Sequence, residues 1–329
     1  MNKKNPVVSF FTSREGILAI FVAIFFGVLV ATSNLGQDMF SFLKDVSYMI
    51  VGGLALMLVV MLGEIDISAG TVLGLIGFFT GNLLKMGVPI PLVILVGMLV
   101  GMVNSAIIGF INVKFHVPTM VVSLAMVKLH LGIFPLLPNA GWVSNIPMEI
   151  SNVGNAKIGV VPVMLFFSLA ILVFFMWFMK YTRFGKTIYA VGGSKPSATL
   201  AGIKNGKVVF LTFVMSGALL GITSIMYWLP ASQVQPSGTN GLEMYFIPIA
   251  VVAGVSILGG TGRPIGILIS TFLIAMLQRA CILWGLGNAW LYLTYGVVVL
   301  IAVYSSVTDF AALFGGRKKK GANLEGGAN

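Results

Sequence analysis

The sequence predicts an all-α, polytopic membrane protein, with about ten transmembrane helices in one domain spanning residues 1–329. Three observations predict this. Apolar stretches long enough to cross a bilayer recur from Ile17 to Val307, broken only by short polar turns. Hydrophobic residues make up 58% of the chain and charged residues only 9%, where a soluble domain carries roughly 25% charged. Mean hydropathy is +1.02, more apolar surface than a water-soluble fold can hide. In hydrocarbon an unpaired backbone N–H or C=O costs several kcal/mol, so each crossing must be a helix of about 20 residues.

The first span, 17–33, follows Lys3, Lys4 and Arg14, and no small-residue cleavage site closes it. It is read as an uncleaved span rather than a signal peptide. The second and third, 46–62 and 67–84, are separated only by Gly63-Glu64-Ile65-Asp66. The fourth and fifth cover 89–111 and 117–137, before a long loop at 138–159. The sixth, 160–179, leads into the longest basic loop, 180–207, and the seventh covers 208–229. The eighth, 245–258, is short and runs into Gly259-Gly260-Thr261-Gly262; the ninth and tenth are 264–283 and 289–304. Short or glycine-interrupted segments at corresponding places in two halves point to a transport pathway.

Lys and Arg resist translocation and set orientation. With the N-terminus inside, the inner face receives the cations of 180–207, Arg263 and Arg317 to Lys320, against only Lys44, Lys85 and Lys157 outside. Both termini are then cytoplasmic, with a 1–16 N-terminal segment and a basic 308–329 tail. Five spans on each side of the 138–159 loop make any internal repeat inverted. The net charge of +11 is read as an orientation signal and a contact for anionic membrane lipid, not a nucleic-acid patch. The single cysteine, Cys281, excludes an intrachain disulfide and a Cys-rich metal site.

Within the basic loop, Ser194 suits a helix N-cap, Pro196 the first turn and Gly202 a left-handed stop, specifying about two helical turns. This segment is either a loop resting on headgroups or a short rod that docks in a partner subunit. Asp66 and Glu64 stand at a broken junction between spans. Asp66 is expected to cap the third span, and lining a pathway is a compatible second role. The pairs Gly70 and Gly74, Gly97 and Gly101, and Gly217 and Gly221 have the four-residue spacing of close helix crossings. Gly259, Gly260 and Gly262 are not followed by Gly-Lys-Ser/Thr, so this chain is not its own ATPase. Arg279 is expected to snorkel or pair, and Lys128 to form a buried pair. His116 and His130 are too isolated for a metal site or triad. No motif of an intramembrane enzyme is present, and no cofactor is expected.

Three stretches carry a resemblance. Glu64-Ile-Asp-Ile-Ser-Ala-Gly70 resembles the Gly-Gly-Ile-Asp-Leu-Ser-x-Gly signature of ribose-type ABC importer permeases. The run from Arg183 to Gly193 with Ala201-Gly202-Ile203 is similar to that family's cytoplasmic coupling segment. Gly241-Leu242-Glu243 through Gly262 is similar to its closing glycine-rich region. The resemblance implies a permease dimer, homo- or heteromeric, in the bacterial cytoplasmic (inner) membrane. It further implies a separate ATP-binding-cassette ATPase subunit and an extracytoplasmic sugar-binding protein as partners. The substrate would be a monosaccharide or, in some members, a furanosyl autoinducer. Gly192, Gly193, Ser194, Ala198, Gly202 and Ile203 would couple to the ATPase. Asp66, Ser68, Gly70, Glu243, Gly259, Gly260 and Gly262 would build the pathway or gate. Glu64 departs from the signature glycine, and Ser194, Pro196 and Ser197 depart from an Asn and paired alanines. The competing class is an ion-coupled secondary transporter, which needs acids near the bilayer midplane, whereas every acid here is expected near a span end.

Overall fold

The computed structural model describes residues 14–32 and 38–307. Most of the 1–16 segment and the whole 308–329 tail lie outside the described residues. The helices are α1 (Arg14–Thr32), α2 (Met39–Val60), α3 (Ala69–Lys85), α4 (Ile90–Phe115), α5 (Thr119–Ile133), α6 (Met148–Gly154), α7 (Val163–Tyr181), α8 (Arg183–Gly193), α9 (Lys195–Leu200), α10 (Asn205–Trp228), α11 (Glu243–Val252), α12 (Pro264–Leu283) and α13 (Asn288–Val307). A two-stranded antiparallel ribbon, β1 (Lys157–Ile158) with β2 (Val161–Pro162), sits in the 138–159 connection and its exit. The chain is an all-α polytopic membrane protein. Among the described residues six stretches, including α2, α4, α7, α10 and α12, are long and apolar enough to cross a bilayer. Each of the ten predicted spans overlaps a helix, the eighth over 245–252 alone.

Proline punctuates the chain. Pro89, Pro118, Pro147 and Pro162 each occupy the N-cap of the following helix with an extended ψ, where the fixed φ is pre-set and the missing N–H costs nothing. The 180–207 loop holds more helix than expected. Besides the rod α9 there is α8, whose N-cap Thr182 accepts the Gly185 N–H through Oγ1 at 3.0 Å. Ile188 and Val191 turn into the bundle while Lys186 stays outside, an amphipathic pattern.

At the centre lies α2, 83% of whose most apolar window is enclosed by protein. It packs on α10, which in turn crosses α4 backbone to backbone. A Cβ on Gly101 would fall on the Gly217 carbonyl oxygen, and one on Gly221 would meet Met98 Cα at 2.5 Å. Two of the three predicted small-residue pairs, Gly97 with Gly101 and Gly217 with Gly221, therefore lie at the crossing itself: only hydrogen at these positions lets the axes approach. Two side-chain bonds lock the packing, from Ser216 Oγ to the Ala55 carbonyl (2.9 Å) and from Ser224 Oγ to the Leu73 carbonyl (2.8 Å).

One expectation needs correction and another is met. Lys128 forms no buried pair; it lies on an exposed face of α5, where its long stem can lie along the helix while the ammonium reaches polar surroundings. Arg279 does pair, with Asp38 Oδ2 at 3.1 Å.

Candidate functional site

Two of the predicted spans, the third and the eighth, fall on helices too short to cross. At 1.5 Å per residue, α3 with 17 residues reaches about 25 Å and α11 with 10 residues about 15 Å, against a core of roughly 30 Å. Both begin inside the bundle. On α10, Ser216 marks the level of Ala55 and Ser224 the level of Leu73, eight residues and about 12 Å apart. After α2 ends beyond Ala55, residues 61–68 therefore turn back and climb to start α3 at mid-bundle. Residues 229–242 descend from the other end and start α11 at the same level, since Phe246 fills the space over Gly52. The two helix starts touch. A Cβ on Gly70 would fall on Glu243 Oε2, and one on Gly74 would fall on the Pro236 carbonyl oxygen.

The acids at these breaks lie deep. Asp66 is fully buried and Glu243 is 6% exposed, so both acids, each at the start of a helix, are enclosed by protein. Hydropathy cannot see this, because a window average passes over a break. Asp66 Oδ1 accepts the Ser68 N–H at 2.8 Å and the Ser68 hydroxyl at 2.7 Å. The carboxylate thus closes the turn just ahead of α3 rather than bonding the helix's own first turn, while remaining near its positive end. Glu243 Oε2 accepts the Gly241 N–H at 3.1 Å, so each broken helix starts beside a carboxylate of its own chain. Asp66→Ala is expected to lower stability by about 1–3 kcal/mol, because two buried donors of Ser68 lose their acceptor, while Asp66→Asn keeps an acceptor and loses less. Denaturation midpoints of the two purified variants check this; equal losses would mean that the charge, not the acceptor, matters.

Below the breaks, three segments meet through their main chains. The Gly260 N–H donates to the Met61 carbonyl at 2.8 Å. A Cβ on Gly192 would fall on that same carbonyl oxygen and within 2.7 Å of Gly260 N. Gly259 (φ +91°) and Gly260 (φ +76°) hold left-handed conformations that admit glycine readily. The Tyr189 hydroxyl donates to the Gly262 carbonyl at 2.7 Å, and burial raises its pKa from the ordinary tyrosine value. Gly192, Gly259, Gly260 and Gly262, taken from two separate motifs, thus form one junction with the end of α2.

The rod α9 leaves this junction. Ser194 Oγ accepts the Ser197 N–H at 3.3 Å, Pro196 sits in the first turn, and Gly202 has φ +80°. Gly202 N–H bonds the Thr199 carbonyl and Ile203 N–H the Ala198 carbonyl, a Schellman stop. Ala198 is 3% exposed, so it seats the rod on this chain rather than facing outward; Leu200, two residues on, is 90% exposed. Sequence reasoning missed Leu200, because in a helix of six residues the inward face is set by packing rather than by local pattern. It also missed the pairing of Lys195 Nζ with Glu64 Oε1 at 3.0 Å, while Glu64 Oε2 accepts from Thr119 Oγ1 at 2.7 Å. The departure from the signature glycine at Glu64 thus contacts Lys195, next to the other departure at Ser194 and Pro196.

Among the described residues no cluster of His, Cys, Asp or Glu could hold a metal ion. Helices broken at mid-bundle, joined by a glycine junction to an exposed rod, define a membrane permease. The family model for the permease component of branched-chain amino acid transport systems matches residues 38–303, and the chain belongs to that family. It is similar to the autoinducer 2 import system permease protein LsrC of Yersinia pseudotuberculosis serotype O:1b (strain IP 31758), 28% identical over 246 residues, covering 74% of this chain and 69% of the relative. The protein of the same name from Yersinia pseudotuberculosis serotype IB (strain PB1/+) is 29% identical over 252 residues, with the same shares covered. That from Yersinia pestis (strain Pestoides F) is 28% identical over 246 residues, again covering 74% and 69%. No solved structure matches the chain. The resemblance drawn from the three motifs holds at the level of the family, that of ABC importer permeases.

Proposed function

We propose that this chain, as one 1–329 domain, is the permease subunit that carries a monosaccharide-sized sugar across the bacterial cytoplasmic membrane, in a homo- or heterodimer. ATP is hydrolysed by a separate subunit docked on α9, and the sugar arrives on an extracytoplasmic binding protein. The observation that carries this reading is the continuous main-chain link from the rod, through Gly192, Met61 and Gly260, to the breaks at Asp66 and Glu243. Movement of the rod would displace the end of α2 and with it the start of α3, the mechanical link that ATP-driven gating requires. In this reading Asp66, Ser68, Gly70 and Glu243 are gate structure, and Gly193, Ser194, Gly202 and Ile203 shape the docking end.

The sugar class rests on the three motifs and on relatives named as autoinducer 2 permeases. Carboxylates at mid-bundle would also suit an ion-coupled carrier, but membership of a permease-component family favours the ATP-driven reading. Uptake of radiolabelled D-ribose, D-xylose, D-galactose and autoinducer 2 into proteoliposomes holding the permease, its ATPase and its binding protein tests it. ATP-dependent accumulation of one of these supports the reading, and accumulation driven by a proton or sodium gradient without ATP overturns it. The distribution of Lys and Arg supports a cytoplasmic location for both termini. With Cys281 replaced, Ser194→Cys is expected to react with an impermeant maleimide only from the cytoplasm and Asn152→Cys only from outside. Reversal of either label would refute that topology.

A further inference from the structure

At the end of the bundle away from the rod, the start of α2 and the last turn of α10 enclose a cavity of about 260 Å³. Its walls include Lys44, Asp45, Tyr48, Tyr227, Trp228 and Pro230. The volume equals about nine waters, room for one small ring and too little for two. The rings stand at right angles: Tyr48 to Tyr227 at 5.1 Å and 84°, and Tyr227 to Trp228 at 4.8 Å and 85°. One side of the cavity is therefore an aromatic corner.

Asp45 supplies the polar side. Among the described residues it makes no hydrogen bond and no ion pair within 4 Å, although Lys44 and Arg279 act on it through space. Both cations are engaged elsewhere. Arg279 binds Asp38 at 3.1 Å, and Lys44 Nζ reaches Asn155 Oδ1 at 3.5 Å and lies 5.7 Å from the centre of the Phe40 ring. A carboxylate has about four acceptor positions, and Asp45 lines the cavity. A free anion is disfavoured by Asp45 and a free cation by Lys44. A neutral ligand with several hydroxyl donors on one side and a C–H face on the other suits both walls.

The floor of the cavity touches the gate. Trp228 Nε1–H donates to the Leu73 carbonyl of α3 at 3.2 Å, and a Cβ on Gly77 would fall on the same indole. Whatever presses on Trp228 presses on α3, whose first turn adjoins Glu243.

We propose that this cavity is a subsite for a single uncharged sugar ring on its way through the permease, with Asp45 accepting ring hydroxyls and Tyr227 and Trp228 covering the C–H face. The proposal rests on the sugar reading above. It is tested with the full complex of permease, ATPase and binding protein in proteoliposomes, using the same four labelled compounds at saturating binding protein. Asp45→Asn and Tyr227→Leu, which removes the ring face, are expected to reduce uptake at least tenfold and threefold respectively, with basal ATP hydrolysis unchanged, a split that a merely structural role would not give. With Cys281 replaced, Ala231→Cys at the cavity wall is expected to react with an impermeant maleimide at least threefold more slowly when the transported sugar and its binding protein are present. That protection decides the matter if Asp45→Asn does not insert. Unchanged uptake in both variants together with absent protection overturns the subsite while leaving the sugar reading intact. Failure of the unaltered complex to accumulate any of the four overturns that reading, and the subsite with it.

Discussion

Valine at Gly192 is expected to reduce transport at least tenfold while the chain still inserts. The new side chain would project onto the Met61 carbonyl oxygen, which already accepts the Gly260 N–H at 2.8 Å. Neither neighbour is the end of a flexible side chain that could turn aside. Forcing extra methyl groups into such a site costs about 1–3 kcal/mol, and separating a buried donor from its acceptor costs about as much again. The strain falls on one side of the link between rod and gate, so ATP hydrolysis should lose its dependence on substrate. Gly193 supplies the control: a Cβ there would come no closer than 4.0 Å to Gly260 Cα, and Gly193→Ala should transport at close to the normal rate. Uptake and ATP hydrolysis by both variants in proteoliposomes, at matched membrane abundance, check this. Normal uptake by Gly192→Val would mean that the junction does not couple the two ends.

The second large effect concerns the rod. Leu200→Asp should leave the permease as stable as before, because a side chain 90% exposed has little to lose in the chain itself. Binding of the ATPase should nevertheless fail. Covering a leucine contributes about 2 kcal/mol, and burying an unpaired carboxylate costs several more, together more than a hundredfold in affinity. Ala198→Asp should do the reverse and lower the melting temperature of the permease alone, since Ala198 is buried beneath the rod. Thermal melting in detergent and co-purification of the ATPase separate the two. If Leu200→Asp retains the ATPase, the rod does not dock in the proposed manner.

The contrast between these neighbouring positions also shows what a sequence can reveal. Ser194, Pro196 and Gly202 announced the rod because caps and stops are local chemistry, read within a few residues. The glycine pairs announced the crossing of α4 and α10 because helical spacing puts them on one face. Which face of a helix only six residues long points inward is decided by packing, so Ala198 and Leu200 could not be ranked in advance. The pairing of Glu64 with Lys195 joins positions 131 residues apart and left no local trace. For the same reason Lys128 looked buried within an apolar run although it is exposed: hydropathy measures a segment, not a direction. The depth of Asp66 and Glu243 required knowing that two chain segments double back inside the bundle.

The enclosure of α2 has a consequence for synthesis. Its principal neighbour α10 begins about 145 residues after α2 ends, on the order of ten seconds of translation. During that interval α2 must reside in lipid, or beside the insertion machinery, without the partners that later cover it. Its sequence therefore answers to two solvents in succession, lipid first and protein afterwards. A polar substitution that the finished bundle could accommodate with a hydrogen bond, as it does for Ser216, would still have to survive those seconds unpaired. The glycine face that later receives Phe246 and Ile249 waits meanwhile as a groove filled by acyl chains. Tolerance to mutation along α2 is thus set as much by the order in which the ribosome delivers its neighbours as by the final packing.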